Sequence, residues 1–320
     1  MSDRSEAYYV QNDIDPNAEN CSWTLMLRQI THTNPRVLDV GCSCGHLGKV
    51  LKKQFGATVF GLEFDADSIA MAHDTGAYID IRQCDLDALS EAEISEWRGF
   101  FDCIVLGDIL EHLRTPSRDL KVLLSCLKAD GEIIASIPNI SHMYIKAQLL
   151  SNNFHYTESG LLDKTHIHFF TYRTIAELLS ENGLMISNCD FTMCGKDEWH
   201  GIDYWQTATH YIQESIFNDW HSYVCQYVVA AKPSKADFDC LLKENTERLD
   251  INENIAPKYI REYKSDLLKA IGDSQEKILR AELNDVLNSR SWRWTKPLRL
   301  AGKVARKVKR VFGFGRELGK

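Results

Sequence analysis

Two groups of residues in this 320-residue chain have types and spacings that could do chemistry. The first is the run DVGCSCG at 39–45, in which two cysteines lie inside a glycine-rich stretch. Such a stretch suits either a thiol site for metal or redox chemistry, or a turn whose backbone N–H groups approach an anionic ligand. The second group comprises the histidine-containing runs LEHL at 110–113 and LLDKTHIHFFT at 161–171. An imidazole in either run could take a proton from a substrate near neutral pH.

The spacing of Cys42 and Cys44 argues against a thiol site. Zinc sites commonly pair Cys-x₂-Cys with a second Cys or His pair, whereas these cysteines are one residue apart and no matching pair follows. No metal site is therefore predicted. The ten cysteines are predicted to be reduced, because Cys103, Cys126 and Cys225, among others, lie in apolar segments of a chain too long to need disulfide staples.

The glycine-rich run lies between a predicted strand and a predicted helix. RVLDV before it is β-branched, and HLGKVLKKQF after it has apolar residues at helical spacing. The dinucleotide pattern Gly-x-Gly-x-x-Gly does not fit, because Ser43 and His46 occupy its second and third glycine positions. The pattern Asp-x-Gly-x-Gly-x-Gly fits at Asp39, Gly41 and Gly45, with Ser43 in the middle place.

Four further strands are predicted after this turn, and polar residues mark the ends of three of them. They are TVFGLEF ending at Glu63 and Phe64, IRQCDL ending at Asp85 and Leu86, FDCIVLGD ending at Asp108, and KADGEIIASIPN. With the glycine turn, this order resembles the class I S-adenosylmethionine-dependent methyltransferases over about residues 35–232. The resemblance implies a Rossmann-like α/β sheet of seven strands with helices on both faces. It also implies S-adenosyl-L-methionine as the cofactor, at the carboxyl ends of the strands.

The resemblance assigns cofactor contacts to these strand ends. Asp39 and Gly41 are expected near the methionine part, Glu63 on the ribose hydroxyls, and Asp85 with Leu86 at the adenine. The predicted cofactor-binding residues are Asp39, Gly41, Ser43, Gly45, Glu63, Phe64, Asp85, Leu86 and Asp108. The alternative for Asp39 and for Asp85 is that each only caps its own turn.

The run LLDKTHIHFFT resembles a subset of these methyltransferases associated with bacterial polysaccharide and glycan assembly. That subset has Leu-Asp-x-Thr-His-x-Arg-Phe-Phe-Thr, and here His168 stands in place of the arginine. Because methyl transfer to a hydroxyl requires removal of its proton, His166 is the first candidate for the general base, with Asp163 as its partner, and His112 is the second. The alternative is that Asp163 only fixes a loop over the cofactor.

Composition divides the chain into four parts. Residues 1–34 are predicted as an N-terminal helical lid or substrate segment, 35–232 as the methyltransferase domain, 233–288 as a helical extension that permits a short coiled coil, and 289–320 as a basic amphipathic tail. The tail has eleven basic residues and one acidic residue in a chain of net charge −8. Its apolar stripe and tryptophans favour docking to an anionic membrane surface, and no nucleic-acid partner is expected. The oligomeric state stays open.

The tail run SRSWRWTKPLR resembles a C-terminal motif of glycosyltransferases and partner enzymes of bacterial surface-polysaccharide assembly, so glycosyltransferases of that pathway are candidate partners. These resemblances imply an enzyme that O-methylates a sugar hydroxyl of a surface polysaccharide or lipid-linked glycan. The alternatives are a small-molecule O- or C-methyltransferase acting on a quinone or other metabolite, and a non-catalytic scaffolding subunit that retains the fold. With no signal peptide or membrane span in the sequence, the chain is predicted to be cytoplasmic and peripheral at the inner membrane face.

Overall fold

The computed structural model of the chain describes residues 14–15, 17–193 and 215–250, together with the positions 261–262, 265–266, 269 and 280. The chain separates into two compact units, residues 1–256 and residues 257–320. In the second unit the described positions are helical and exposed. The candidate site lies in the first unit.

One seven-stranded sheet forms the centre of the first unit. Its strands are β1 (Arg36–Val40), β2 (Thr58–Glu63), β3 (Tyr78–Gln83), β4 (Phe101–Gly107), β5 (Leu127–Pro138), β6 (Leu184–Met193) and β7 (Val224–Pro233). They lie in the order β3-β2-β1-β4-β5-β7-β6. The first five are parallel to one another, and β7 is antiparallel to β5 and β6. The predicted Rossmann-like sheet is confirmed.

Seven α-helices with assigned bounds accompany the sheet in the described part of the chain. They are α1 (Ser22–Gln29), α2 (His46–Phe55), α3 (Ala66–Asp74), α4 (Pro116–Leu124), α5 (Met143–Leu150), α6 (Tyr172–Glu181) and α7 (Phe238–Leu249). Local sequence explains several ends. The Asp65 carboxylate accepts a hydrogen bond from Ser68 N at the start of α3, and Gly56 ends α2 with a φ of 63°.

The sheet is buried on both faces because successive residues of its central strands are apolar. Val37 on β1 and Val105 on β4 belong to a core cluster that also contains Leu25 of α1 and Leu51 of α2. Leu38, which alternates with Val37 and so points to the opposite face, is also fully buried. Near-continuous apolar strands of this kind are typical of parallel sheets covered by helices.

The strand order reverses at β1, which pairs with β2 on one side and β4 on the other. The connections that leave the carboxyl ends of β1 and β4 therefore go in opposite directions across the sheet. In open α/β sheets this reversal leaves a crevice in which ligands bind. The residues predicted to contact the cofactor follow β1, β2, β3 and β4, so the fold brings them to this edge.

The N-terminal segment contributes a helix to the core. Leu25 and Leu27 of α1 are buried in the core cluster, and Gln29 Nε2 donates a hydrogen bond to the carbonyl of Val228, 2.9 Å away. The described part of the predicted lid therefore packs on the sheet. Residues 1–13 lie outside the described residues, and a lid or substrate role for them stays a prediction.

Residues 233–256, which the composition assigns to the C-terminal extension, belong to the first compact unit. Asn245 of α7 is fully buried; its Oδ1 accepts from Ile186 N at 2.8 Å, and its Nδ2 donates to the Leu184 carbonyl at 2.9 Å. Both partners lie on β6, the edge strand of the sheet. Helix α7 is thus joined to the sheet by hydrogen bonds as well as by the buried side chains of Leu241 and Leu249.

The prediction that all cysteines are reduced is wrong for Cys225, which is disulfide-bonded. Cys225 lies at the start of β7, where its apolar neighbours suggested a buried thiol. Apolar surroundings bury a disulfide as readily as a thiol, so burial does not distinguish the two states. Eight other cysteines within 14–193 and 215–250, including Cys42 and Cys44, are free.

Among the described helices, none has the length and apolar character that crossing a bilayer requires.

Candidate functional site

The turn after β1 brings backbone close to the crevice. Gly41 and Gly45 have φ values of 69° and 80°, and Ser43, between them, has a φ of 45°. A side chain at Gly41 would place Cβ 2.2 Å from Ile109 Cδ1, so both conformation and space require glycine there. Gly45 then begins helix α2 at the N-cap position. The turn thus leads directly into a helix N-terminus, where an anionic group of a ligand can bind.

The Glu63 carboxylate joins the ends of β1 and β2. Oε2 accepts from Ser43 N at 2.8 Å, and Oε1 accepts from Phe64 N at 2.7 Å and from Asp65 N at 3.0 Å. These bonds hold the carboxylate in a fixed orientation, and its oxygens can accept further hydrogen bonds from a ribose diol. Phe64, beside it, is 69% exposed, and its predicted contact with the cofactor stays a prediction.

Asp85 and Leu86 follow β3 as predicted. Asp85 Oδ1 accepts from Asp87 N at 3.1 Å, which is the side-chain turn expected if Asp85 caps its own loop. Leu86 is half-buried. Capping the turn does not conflict with a contact to adenine, because Asp85 Oδ2 takes no part in the bond to Asp87 N.

Asp39 is buried beneath the glycine turn. Its Oδ2 accepts a 2.6 Å hydrogen bond from the hydroxyl of Tyr78 on β3. Burial raises the pKa of Asp39 to about 7, although the Tyr78 hydroxyl favours the ionised form. The side chain therefore fixes β1 against β3.

Because of this shift, the free energy of unfolding is expected to fall as the pH rises from about 4 to about 7. Asp39 keeps its proton to about pH 7 in the folded chain, against 3.8 as its ordinary value. Between these two pKa values the folded state binds more protons than the unfolded state. The contribution of Asp39 to the free energy of unfolding is therefore complete below the lower pKa and is lost as the pH rises through the upper one. Urea denaturation of Asp39→Asn should give a flatter pH profile, with the exposed Asp67→Asn as the control. Parallel profiles for Asp39→Asn and the wild type would contradict this.

Asp108 follows β4 and has a φ of 55°, a conformation uncommon outside glycine. Its Oδ1 accepts from Ser136 Oγ at 2.7 Å and from Gln226 Nε2 at 2.8 Å. Burial raises the pKa of Asp108 to about 6. Residues of β5 and β7 thus fix the orientation of the Asp108 carboxylate. Its contact with the cofactor stays a prediction.

Two segments distant in the sequence meet just beyond Asp108. The carbonyl of Glu111 accepts hydrogen bonds from Ile167 N at 2.9 Å and His168 N at 3.0 Å. These bonds place His112 against His166, and the centroids of their rings are 4.8 Å apart. The two candidate bases therefore occupy one site.

In both histidines the Nδ1 atom lies beside a backbone carbonyl. His112 Nδ1 lies 3.2 Å from the Thr165 carbonyl, and His166 Nδ1 lies 3.4 Å from the Leu161 carbonyl. Because a carbonyl only accepts, each Nδ1 carries the proton and each Nε2 presents a lone pair. Burial lowers the pKa of both imidazoles, so both are neutral near pH 7.

Asp163 lies in the same loop without a hydrogen bond to the His166 ring among the described residues. Its Oδ1 accepts from Thr165 N at 2.8 Å and from Thr165 Oγ1 at 2.6 Å, so the carboxylate fixes the turn. Its negative charge still favours protonation of His166. A catalytic part for Asp163 stays a prediction. His168, in place of arginine, donates through Nε2 to the Arg114 carbonyl at 3.1 Å.

Glu111 also belongs to this site, although the sequence analysis does not predict it. Its side chain is 1% exposed, and neither carboxyl oxygen has a hydrogen-bond partner within the described chain. Burial raises the pKa of Glu111 well above its ordinary value, and the charge of Asp108 raises it further. Glu111, His112 and His166 each offer one ligand atom, and these atoms lie within 4.8 Å of one another.

A family model described as "Methyltransferase domain" matches residues 13–187. The chain is 29% identical over 141 residues to the ubiquinone biosynthesis O-methyltransferase of Pseudomonas fluorescens (strain SBW25), covering 43% of this chain and 57% of the relative. It is 30% identical, with the same coverage, to the enzyme of that name from Pseudomonas putida (strain W619). The chain thus spans little more than half the length of these relatives.

Solved structures with a similar arrangement include the YcgJ protein of Bacillus subtilis, at 14% identity and a TM-score of 0.48, covering 67% of this chain and 99% of that one. They also include an S-adenosylmethionine-dependent methyltransferase of Mesorhizobium loti, at 17% identity and a TM-score of 0.44, covering 66% and 97%.

Proposed function

Because the chain belongs to the S-adenosylmethionine-dependent methyltransferases, we propose that it transfers the methyl group of S-adenosyl-L-methionine to a hydroxyl oxygen of its acceptor. The residues at the strand ends fit the cofactor: a glycine turn that leads into a helix N-terminus, a fixed carboxylate at Glu63 and the exposed ring of Phe64. When bound, the cofactor supplies an electrophilic methyl group on a sulfonium. The chain's own residues then have to position the acceptor and remove its proton.

The observation that supports a hydroxyl acceptor is the pair of neutral imidazoles formed by His112, after β4, and His166, in the loop before α6. A hydroxyl attacks the methyl carbon, the carbon–sulfur bond breaks as the carbon–oxygen bond forms, and the hydroxyl proton must leave. His166 Nε2 and His112 Nε2 have the lone pairs to accept it. Both rings are oriented by carbonyls, so neither needs to reorganise before the proton moves.

We propose a sugar as the acceptor, on the basis of an aromatic surface whose residues flank His166 in the sequence. Phe154, Tyr156 and Phe169 contact one another, and the centroids of the Phe154 and Tyr156 rings are 5.4 Å apart. Tyr156 is 55% exposed. The segment that carries them continues into the loop with His166, and flat aromatic faces pack well on the C–H face of a sugar ring.

A phenolic or quinol small molecule is the second candidate acceptor. It is favoured by the curated relatives, which are named as ubiquinone biosynthesis O-methyltransferases. The exposed aromatic surface would suit a planar ring as well as a sugar. Methyl transfer to a carbon atom of a metabolite would need no proton acceptor for a hydroxyl. A non-catalytic scaffolding subunit would need neither histidine. The paired imidazoles therefore favour O-methylation over both of these functions.

Transfer from S-adenosyl-L-methionine carrying an isotopic methyl group tests the function. The full chain is offered a lipid-linked oligosaccharide fraction, a free oligosaccharide and a catechol-type phenol in parallel, and mass spectrometry locates the label. Labelled sugar supports the glycan acceptor, and labelled phenol alone replaces it with the second candidate. Binding of the cofactor without transfer to either acceptor class would count against the O-methyltransferase and favour the scaffold.

We also propose that residues 289–320, which lie outside the described residues, dock the chain to a membrane. The chain would then lie at the inner membrane face beside glycosyltransferases. Each basic residue near an anionic surface contributes about 1 kcal/mol, so several together support reversible binding. Removing residues 289–320 should release the chain from anionic vesicles and leave transfer to a soluble acceptor intact. Sedimentation with vesicles measures this, with duplex DNA and RNA at equal ionic strength as competitors. Vesicle binding that survives the truncation, or a preference for nucleic acid, would rule out the tail as the anchor.

A further inference from the structure

The buried carboxylate of Glu111 has no partner that explains its position. Its oxygens lack hydrogen bonds within the described chain, and His166 Nε2 is 4.0 Å from Oε1. A buried carboxylate without hydrogen bonds is costly unless a proton or a cation neutralises it. The nearby Asp108 carboxylate adds further negative potential at the same place. The site therefore favours a positive charge.

The two histidines are arranged as metal ligands are. In metal sites a ligating imidazole usually donates its other ring N–H to a carbonyl or carboxylate, which fixes the tautomer and the ring orientation. His112 and His166 both do so through Nδ1, to the carbonyls of Thr165 and Leu161. His166 Nε2 is thereby left as a lone-pair donor 4.0 Å from Glu111 Oε1, and one ring nitrogen of His112 lies within 4.8 Å of a ligand atom of each.

We propose that Glu111, His112 and His166 bind one divalent cation of the first transition series. Two imidazole nitrogens and one carboxylate oxygen suit Mn²⁺, Fe²⁺, Co²⁺ or Zn²⁺ better than Mg²⁺ or Ca²⁺, which prefer oxygen ligands. Two ligands about 2.1 Å from a cation lie about 3.4 Å apart at a tetrahedral angle. The separations here, all within 4.8 Å, therefore have to shorten by up to about 1.4 Å when a cation binds.

Three protein ligands leave at least one coordination position open, as in catalytic rather than structural sites. In a role that rests on the proposed function, the cation binds the acceptor hydroxyl through its oxygen. Coordination lowers the pKa of that hydroxyl, whose proton passes to water, and the oxygen then attacks the methyl carbon. The histidines would act through the cation instead of taking the proton themselves. A sugar or catechol with neighbouring hydroxyls could use two positions at once.

Calorimetry with the full chain tests the site. After treatment with chelator and dialysis, the chain is titrated with MnCl₂, and with MgCl₂ for comparison. Mn²⁺ is the better probe than Zn²⁺ because the exposed thiol of Cys240 could bind zinc. We expect one equivalent of Mn²⁺, bound more tightly than Mg²⁺, with affinity reduced at least about 100-fold in Glu111→Gln and in His166→Gln. His168→Gln, two residues from a ligand, should bind like the wild type.

A Co²⁺ absorption spectrum of the wild-type chain gives a second readout that needs no variant and reports coordination by nitrogen and oxygen. It keeps the proposal testable if Glu111→Gln or His166→Gln fails to fold. Failure of the wild-type chain to bind Mn²⁺ and Co²⁺ stoichiometrically would refute the site, as would undiminished binding by both variants. Binding of S-adenosyl-L-methionine is measured in the same samples. Cofactor binding without cation binding would overturn the cation site alone, whereas absence of cofactor binding would overturn the proposed function.

Discussion

Replacing His166 with alanine is expected to lower turnover by about 100-fold or more while changing the affinity for S-adenosyl-L-methionine little. His166 Nε2 faces Glu111 and its ring contacts that of His112, and neither of these residues is among those predicted to hold the cofactor. Loss of the imidazole removes the proton acceptor, or one ligand of the proposed cation. Either loss acts on the transfer step. Single-turnover transfer at saturating acceptor, with calorimetry for the cofactor, measures the two quantities separately.

The control for this variant is His168→Ala. His168 lies in the same loop and donates to the Arg114 carbonyl, so its loss perturbs the loop without removing a lone pair from the site. Its turnover should stay within a few-fold of the wild type. Equal turnover of His166→Ala and the wild type would move the proton acceptor to His112. If His166 acts through a cation, added Mn²⁺ should raise wild-type turnover, whereas direct proton removal would leave turnover independent of the metal.

Replacing Glu63 with alanine is expected to weaken cofactor binding by about 1–3 kcal/mol, or about 5- to 150-fold in affinity. The change removes the acceptor predicted for the ribose hydroxyls. It also frees the backbone N–H of Ser43, which Glu63 Oε2 holds at 2.8 Å, so the glycine turn loses part of its support. Both effects act in the same direction. Calorimetric titration with S-adenosyl-L-methionine measures their sum.

Glu63→Gln separates the two contributions, because an amide oxygen still accepts from one backbone N–H but carries no charge. We expect its affinity to lie between those of Glu63→Ala and the wild type. Glu96→Ala is the control, since Glu96 is exposed and pairs with Arg82. A folded Glu63→Ala chain with wild-type affinity would remove Glu63 from the cofactor site.

The sheet and the cofactor edge follow from local features of the sequence. Strands β1, β2 and β4 are short apolar runs, and a glycine or an acidic residue ends or directly follows each of them. Hydrophobic periodicity and turn residues are local properties of the sequence. The positive φ values at Gly41 and Gly45 are implied by the same pattern. Glu63 thus occupies the predicted strand end, and its contact with the ribose stays a prediction.

The histidine site is predictable only in part, because it is assembled by long-range contacts. The sequence offers His112 and His166 as separate candidates, and their encounter depends on hydrogen bonds from Ile167 and His168 to the Glu111 carbonyl, more than fifty residues away in sequence. Within LEHL, nothing distinguishes Glu111 from an exposed helix residue. Its burial is decided by the loop that covers it. An acidic residue adjacent to a candidate histidine is the signal that could have found it.

The bond between Asn245 and β6 bears on how this protein can be divided for experiments. An edge strand of ten residues exposes a row of N–H and C=O groups that can pair with another chain, which is a recognised route to aggregation. Asn245 forms hydrogen bonds with the Leu184 carbonyl and the Ile186 N–H on that edge, and Leu241 and Leu249 cover apolar surface around it. A fragment cut at residue 233 would uncover this strand and should precipitate or form intermolecular sheets. One that extends through residue 250 retains the cover and should remain monodisperse on refolding.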